Sequence, residues 1–304
     1  MDRAIEDLTR IRATSPALIS ERAAARVRPP GPLGPHGRVL VIAADHPARG
    51  MVGAGARASA MADRGELLRR LAVALSRPAV NGVLGTPDIL EDLLLLGALE
   101  GKFVVGSMNR GGLKGAVFEL DDRFTAYSAE TLVRRRFDAG KLLLQIDLDD
   151  PASVATLEAS ARAVSELADA GLMAMVEPFI SGRAQGRVRA RLDPDSVINS
   201  IGIASAIGAT SAYTWLKLPV VEDMERVTAA TTLPILLLGG EVAQDQDAAF
   251  ASWEAALALP GVYGLVVGRS LLFPPDDDLD SALDAATAML ERAGSLDEPA
   301  RSSS

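Results

Sequence analysis

Lys217 is the residue whose surroundings most directly suggest chemistry. It lies between two leucines in the segment WLKLP. Burial of an ammonium group costs free energy, so a lysine in such a segment is expected to have a lowered pKa. The neutral amine is the nucleophile that forms a Schiff base with a carbonyl carbon. The structural alternatives are a lysine that reaches solvent at a rim and one that only pairs with a carboxylate.

Two carboxylates and a histidine are candidate proton-transfer groups. Glu177 in VEPF could act as a general acid or base beside a cation, and its alternative is a purely structural salt bridge. Asp45 in AADHP could bind a substrate hydroxyl or accept its proton, and its alternative is a turn or helix-capping residue. His46 is interpreted as a loop residue, with proton transfer as the alternative.

Two glycine-containing turns have the composition of a phosphate site. They are Gly239-Gly240 in LLLGG and Gly268-Arg269 in VVGR. Glycine lets the backbone approach an anion closely, and Arg269 could add a charge-assisted hydrogen bond. Two tight turns that bind nothing are the alternative.

Three further residues are candidate substrate contacts. Arg110 in NRGGL follows a predicted strand, and Trp215 shares a strand face with Lys217 because residues two apart point the same way. Arg183 belongs to the arginine-rich segment SGRAQGRVRAR at 181–191. That segment could bind a carboxylate or a second phosphate, or it could be a solvated loop.

Eight short apolar segments, separated by helical patterns, are predicted to be the strands that position these residues. They span 38–44, 81–86, 103–108, 141–147, 172–178, 212–218, 234–240 and 263–269. Such units predict an α/β fold, a single (β/α)8 TIM barrel over 38–294. Chemistry in these barrels lies at the C-terminal strand ends, where Asp45, Glu177 and Lys217 would converge. Lys141 begins the fourth segment, which places it at the opposite end unless that strand starts earlier.

The remaining segments are predicted to lie outside the barrel or over it. Residues 1–37 form an N-terminal helical extension and linker in this interpretation, packed across the barrel bottom or against a partner subunit. Residues 295–304 are predicted to be a disordered tail. The connection 109–127 is long for a loop between a strand and a helix, so it is a candidate functional loop.

The composition excludes several classes of site. The 304 residues include no cysteine and two histidines, His36 and His46, which excludes cysteine zinc centres, iron–sulfur clusters and thiol nucleophiles. The net charge of −9 argues against a nucleic-acid partner. The uncharged run 197–216 is interpreted as a helix leading into a strand, not as a membrane span. No signal peptide is visible, so we expect a cytoplasmic protein.

Six motifs, taken in order, resemble the class I (Schiff-base) aldolases of the (β/α)8 superfamily, which include fructose-bisphosphate, tagatose-bisphosphate and deoxyribose-phosphate aldolases. The motifs are AADHP, GKLLLQID, VEPF, TWLKLP, LLLGG and VVGRSLL. The resemblance implies that Lys217 forms the imine, Glu177 dehydrates the carbinolamine and Asp45 assists cleavage of the C–C bond. It makes Lys141 a second active-site lysine whose charge lowers the pKa of Lys217, which requires the fourth strand to start before it. The phosphate would be held by Gly239, Gly240, Gly268 and Arg269.

The whole chain is most similar to a bacterial barrel family described as deoxyribose-phosphate-aldolase-like and associated with inositol breakdown. That association suggests 2-deoxy-5-keto-gluconate 6-phosphate as the substrate, cleaved to dihydroxyacetone phosphate and malonic semialdehyde. The imine would serve as the electron sink, so neither a metal nor another cofactor is expected, and a homo-oligomer is expected. Phe179 departs from relatives that place a tyrosine or an acid there, and neither the loop 109–127 nor the N-terminal extension has a matched counterpart.

Three other functions remain open at this level. A phosphate-binding isomerase or epimerase would use Glu177 as a base and form no imine. An acyl-transferring relative would use the same lysine to activate a carbonyl for thiolysis. A non-catalytic ligand-binding barrel would keep the fold alone, although the combination of Asp45, Glu177 and Lys217 argues against it.

Overall fold

The computed structural model contains a closed barrel of eight parallel strands. It describes the backbone of residues 2–34 and 36–301 and the side chains of residues 3–34 and 36–294. The strands are β1 Val39–Ala43, β2 Gly82–Gly85, β3 Phe103–Ser107, β4 Ala139–Ile146, β5 Met173–Ala184, β6 Arg187–Ala190, β7 Thr214–Pro219, β8 Ile235–Leu238 and β9 Val262–Val267. The barrel order is β1-β2-β3-β4-β5-β7-β8-β9, closed between β9 and β1, and β6 pairs antiparallel with β5 outside the ring. The predicted (β/α)8 barrel is confirmed.

Helices cover the outside of this barrel. They are α1 Asp2–Thr14, α2 Ala17–Ala25, α3 Arg64–Ser76, α4 Pro87–Leu95, α5 Ala129–Arg134, α6 Ala152–Asp169, α7 Pro194–Ser205, α8 Met224–Thr228, α9 Gln246–Leu257, α10 Arg269–Leu272 and α11 Leu279–Arg301. Several begin at a polar cap, as when Asp63 accepts a hydrogen bond from the backbone of Glu66 and so satisfies a free N–H group. Within the described residues, no helix has the length and apolarity needed to cross a membrane.

The predicted disorder of residues 295–304 stays a prediction. Helix α11 reaches Arg301, so its backbone assignment runs past the predicted start of the tail. The side chains from residue 295 onwards, and residues 302–304 entirely, lie outside the described part of the chain.

The core consists of an outer layer between strands and helices and an inner layer that fills the lower barrel. On β1, Leu40 and Ile42 pack outward, whereas Val39, Val41 and Ala43 point inward, as the strand period of two requires. The inner layer includes Phe103, Met173, Met175, Leu236 and Val266. It fills the N-terminal part of the barrel interior. The polar side chains that point into the barrel therefore gather at the C-terminal end.

The N-terminal extension packs against α3 and α4 and reaches the N-terminal end of the barrel. Arg12 forms an ion pair with Asp92 at 2.8 Å. Arg26 is 1% exposed and donates to Asp138 Oδ2 at 3.0 Å and to the Lys102 carbonyl at 2.8 Å. Since Lys102 and Asp138 immediately precede β3 and β4, this arginine ties the extension to the start of two strands.

Arg26→Ala is expected to lower the free energy of unfolding by about 3 kcal/mol, because it leaves a buried carboxylate with fewer partners. Urea unfolding at neutral pH measures the change. The matched control is Arg22→Ala, which removes an exposed arginine from α2. If both variants lose equally little stability, Arg26 does not anchor the extension.

Candidate active site

Glu177 lies between two lysine amines at the C-terminal end of the barrel. Its Oε1 accepts from Lys217 Nζ at 2.7 Å, and its Oε2 lies 2.5 Å from Lys141 Nζ. All three side chains are buried. The structure therefore brings together the three residues that the sequence placed on three different predicted strands.

Strand register explains how Lys141 reaches this group. The strand β4 begins at Ala139, before Lys141, as the resemblance required. Lys141 pairs in register with Met175, and Leu143 pairs with Glu177. The lysine thus starts lower in the barrel than the glutamate, and its long side chain spans the difference.

Asp45 forms a second charged group beside the first. It follows β1 and forms ion pairs with Arg110 and with Lys141, the latter at 3.4 Å between Oδ2 and Nζ. Ser107 Oγ donates to the same Oδ2 at 3.3 Å. Lys141 therefore joins the two carboxylates into one buried network of Asp45, Arg110, Lys141, Glu177 and Lys217.

The network shifts the pKa values of three of its members, Lys141, Glu177 and Arg110. Burial lowers the pKa of Lys141 well below its ordinary value, and the charges of Arg110 and Lys217 lower it further. Burial alone would raise the pKa of Glu177, but the two lysine charges hold it well below its ordinary value. Burial lowers the pKa of Arg110 to about 10, so it stays protonated at neutral pH. The site therefore holds an ionised carboxylate next to a lysine with a depressed pKa.

His46 also lines the site as a neutral imidazole at neutral pH. Burial lowers its pKa well below the ordinary value, followed by the charges of Arg269 and Lys217. Its Nδ1 lies 3.9 Å from Asp45 Oδ1 and has no hydrogen-bond partner among the described residues.

These residues surround a cavity of about 910 Å³ that opens at the C-terminal end of the barrel. Its walls come from the loops that follow most of the strands, including the long loop 109–127. The polar and charged side chains that line it are Asp45, His46, Arg49, Arg110, Lys114, Glu119, Lys141, Gln145, Glu177, Arg187, Arg189, Lys217, Glu241, Ser252 and Arg269. A cavity of this size admits a six-carbon chain with its substituents.

The two predicted phosphate turns meet at one side of this cavity. Arg269 Nη2 donates to the Gly240 carbonyl at 3.2 Å, and its buried Nε has no hydrogen-bond partner among the described residues. Gly240 has φ +64°, which glycine adopts without strain. A Cβ on Gly268 would lie 2.1 Å from the Ala43 carbonyl oxygen, so only glycine lets this turn pack against β1. Gly239, Gly240, Gly268 and Arg269 all line the cavity.

Two predicted substrate contacts are placed elsewhere, so the structure does not support them. Arg183 pairs with Asp150 at 3.1 Å and donates to the Val117 carbonyl at 2.8 Å, outside the main cavity. Trp215 does point into the barrel, but it lies in the lower apolar layer, 5.5 Å from Tyr263 between ring centroids. Register explains this position, because Trp215 is level with Met175 below the cavity. Arg110 does line the cavity, as predicted.

Four further cations line the cavity, and sequence reasoning missed two of them, Arg49 and Lys114. Arg187 and Arg189 come from β6, in the same arginine-rich segment as Arg183. Arg49 forms an ion pair with Asp122, and Lys114 forms one with Glu119 at 3.2 Å. Asp122 lies in the long loop 109–127, so its pair with Arg49 fastens the loop over the barrel, whereas the Lys114–Glu119 pair is internal to the loop. The loop residues that line the cavity support the interpretation of this loop as part of the site.

Among the described residues, no group of three histidines and carboxylates is placed to hold a metal ion. The expectation that the reaction needs no cofactor stays a prediction.

Comparisons with known proteins agree with this architecture. A family model described as Cgl0159-like matches residues 37–287. The solved structure of Cgl0159 from Corynebacterium glutamicum is 52% identical, with a TM-score of 0.92, and the match covers 95% of this chain and 97% of that one. A comparison with curated proteins gave no match.

Two fructose-bisphosphate aldolases share the fold at low identity. A Schiff-base-forming fructose-1,6-bisphosphate aldolase is 20% identical with a TM-score of 0.60, over 90% of this chain and 99% of that one. The enzyme from Slackia heliotrinireducens is 16% identical with a TM-score of 0.63, over 86% of each chain. At these identities the likeness shows the barrel fold alone.

Proposed function

The chain belongs to the Cgl0159-like family, and we propose that it is a class I aldolase, an aldehyde-lyase that forms a Schiff base on Lys217. The substrate would be a phosphorylated keto sugar or keto sugar acid. One observation carries the proposal: a single carboxylate, Glu177, contacts the amines of Lys141 and Lys217 inside a cavity that also contains Asp45. A structural salt bridge needs only one of those lysines.

Glu177 can prepare Lys217 for attack on a carbonyl. Glu177 touches the amines of both Lys141 and Lys217. It can take one proton from Lys217 as that amine attacks the carbonyl, which makes the Lys217 nitrogen nucleophilic and leaves the proton on Glu177. The amine adds to the substrate carbonyl to give a carbinolamine, and Glu177 then protonates the departing hydroxyl, so that water leaves and the iminium forms.

Asp45 would drive the bond cleavage that follows. It takes the proton of the substrate hydroxyl, the C–C bond breaks to release an aldehyde, and the bonding electrons pass to the iminium nitrogen to give an enamine. Protonation of the enamine carbon and hydrolysis release the ketone and restore Lys217. Arg110 and Lys141 face Asp45 and would stabilise negative charge on it.

The turns after β8 and β9 are proposed to hold the substrate phosphate. The buried Nε of Arg269, which has no hydrogen-bond partner in the described part of the chain, and the positive φ of Gly240 support this role. The comparison enzymes named as fructose-1,6-bisphosphate aldolases act on a phosphorylated sugar, which agrees with the assignment. Cleavage of 2-deoxy-5-keto-gluconate 6-phosphate, the link to inositol breakdown, the cytoplasmic location and the homo-oligomer stay predictions from the sequence.

Imine trapping tests the proposal. The protein is incubated with dihydroxyacetone phosphate, fructose 1,6-bisphosphate or 2-deoxy-5-keto-gluconate 6-phosphate and reduced with borohydride, and the modified peptide is located by mass spectrometry. A stable adduct on Lys217 is expected. Absence of any adduct, in protein that still binds phosphate, would favour the imine-free isomerase.

A further inference from the structure

We propose that Arg187 and Arg189 form a second anion-binding subsite, across the cavity from Arg269. The substrate would then be an acyclic keto compound with an anionic group at each end. This inference rests on the proposed aldolase function, because it defines the substrate class of the same cavity.

The balance of charge in the cavity is the first observation. Eight cationic and four acidic side chains line it, in a chain whose net charge is −9. The deep cations have carboxylate partners, as do Arg49 and Lys114 in the walls. Within the described residues, Arg187 and Arg189 have no ion pair and no side-chain hydrogen bond. The side of the cavity formed by β6 is therefore positively charged without an internal counterion, which favours an anionic ligand.

The hairpin that carries these arginines is held in place. Gln185 and Gly186 form its two-residue turn with φ of 53° and 75°, the backbone of a tight hairpin turn. Ladder pairs such as Gly182 with Arg189 and Ala184 with Arg187 fix its register. Arg187 and Arg189 thus share one face of β6. Contacts from both strands of the hairpin also hold it against neighbouring parts of the chain.

Three contacts provide this attachment. Lys114 Nζ from the long loop donates to the Val188 carbonyl at 3.3 Å. Arg183 on the other strand of the hairpin donates to the Val117 carbonyl of the same loop and pairs with Asp150. Arg183 therefore has structural partners outside the main cavity, whereas Arg187 and Arg189 line that cavity.

Barrel topology places the two cationic regions on different sides of the reacting lysine. Arg269 follows β9, whereas the hairpin extends from β5, and the ring order between them is β5-β7-β8-β9. Lys217 lies on β7, between these strands. A chain whose carbonyl reaches Lys217 can therefore direct one end to Arg269 and the other to the hairpin. A phosphate and a carboxylate, or two phosphates, would satisfy both ends.

Binding of unreactive probes tests the second subsite separately from the chemistry. Hexanediol bisphosphate, phosphonooxyhexanoate and hexyl phosphate have similar chains but no aldehyde or ketone group, so none of them can form an imine. Isothermal titration at low ionic strength, where screening is weak, compares their affinities. We expect at least one of the two-ended probes to bind about tenfold tighter than hexyl phosphate. Which of the two binds tighter distinguishes a second phosphate from a carboxylate.

Variants assign the gain to particular residues. The double variant Arg187→Gln/Arg189→Gln is expected to remove the tenfold advantage and to leave the affinity for hexyl phosphate unchanged. Arg269→Gln should weaken all three probes. The matched control is Arg191→Gln, which removes one charge from the same segment but lines a different pocket. This control is compared with the single variants Arg187→Gln and Arg189→Gln. Circular dichroism checks that all variants remain folded.

Several outcomes would overturn the subsite. They are equal affinity of all three probes for the unaltered protein, an unchanged advantage in the double variant, and an equal loss in Arg191→Gln. If imine trapping fails while the advantage is lost only in the double variant, the aldolase proposal falls and the subsite stands. If trapping succeeds but all three probes bind equally, the subsite falls and the aldolase proposal stands.

Discussion

Replacement of Lys217 by alanine is expected to abolish imine trapping and to lower kcat/KM for aldol cleavage by on the order of 10⁵-fold. No other amine is expected to replace it, because Lys141 is committed to Glu177 and Asp45. The measurements are the mass of the borohydride-reduced protein and the rate of aldehyde release from the best substrate of the trapping panel. Lys217→Arg, which keeps a charge but cannot form the imine, should be equally inactive.

A lysine outside the active site provides the matched control. Lys102 donates to the carbonyls of Arg77 and Val80 near the N-terminal end of the barrel, and burial lowers its pKa. Lys102→Met should therefore keep both trapping and turnover, which shows that a depressed pKa alone does not produce the adduct. An adduct located on Lys141 would contradict the assignment and exchange the roles of the two active-site lysines. An adduct that survives in Lys217→Ala would have the same consequence.

The strands and their inward faces were predictable because parallel strands covered by helices are apolar over nearly their whole length. A charged residue within such a segment stands out, which is why Lys217 and Glu177 were found. Strand parity then indicates which residues share a face. Parity does not give the height of a residue along the barrel axis, so it does not show that Trp215 lies below the cavity that Lys217 lines. Height depends on register, which no local pattern specifies.

Lys141 is a second residue whose height along the barrel axis the local sequence does not give. Its segment alone placed it at the lower end of the barrel, and only the resemblance to aldolases required an earlier strand start. The structure shows both a strand that begins at Ala139 and a side chain long enough to reach Glu177. Contacts between distant segments decide such cases, and a single sequence does not display them.

The sequence indicates that the arginine-rich segment is a possible anion site, but it does not show which of the arginines face the cavity. Because β5 continues to Ala184 and turns back through Gln185 and Gly186, the cavity receives Arg187 and Arg189. The turn has no Asn-Gly or Asp-Gly pair, the strongest sequence signal for such a hairpin. The ion-pair partner of Arg183, Asp150, lies 33 positions away in the sequence. The residue type was therefore predictable, and the choice among neighbours was not.

Glu177→Gln is expected to lower kcat by about 10²–10⁴-fold while changing KM little, because the amide cannot exchange a proton with the carbinolamine. Borohydride should still label Lys217, but more slowly. Glu177→Asp, which keeps the charge on a shorter side chain, should recover part of the rate. Stopped-flow turnover and the time course of trapping measure these effects. An unchanged kcat would leave Glu177 as an ion-pair partner only.

The stability of Glu177→Gln separates proton transfer from ion pairing. At neutral pH the variant should lose about 3 kcal/mol, since two buried lysine amines lose the carboxylate that they share. The folded protein holds the pKa of Glu177 below its unfolded value of about 4.3, so the carboxylate stabilises the fold above that pH. That stabilisation is lost as pH falls below about 4 toward the folded pKa. Urea unfolding should therefore show the difference between the two proteins shrinking in acid, and a pH-independent difference would mean that the two lysines do not depress the pKa of Glu177.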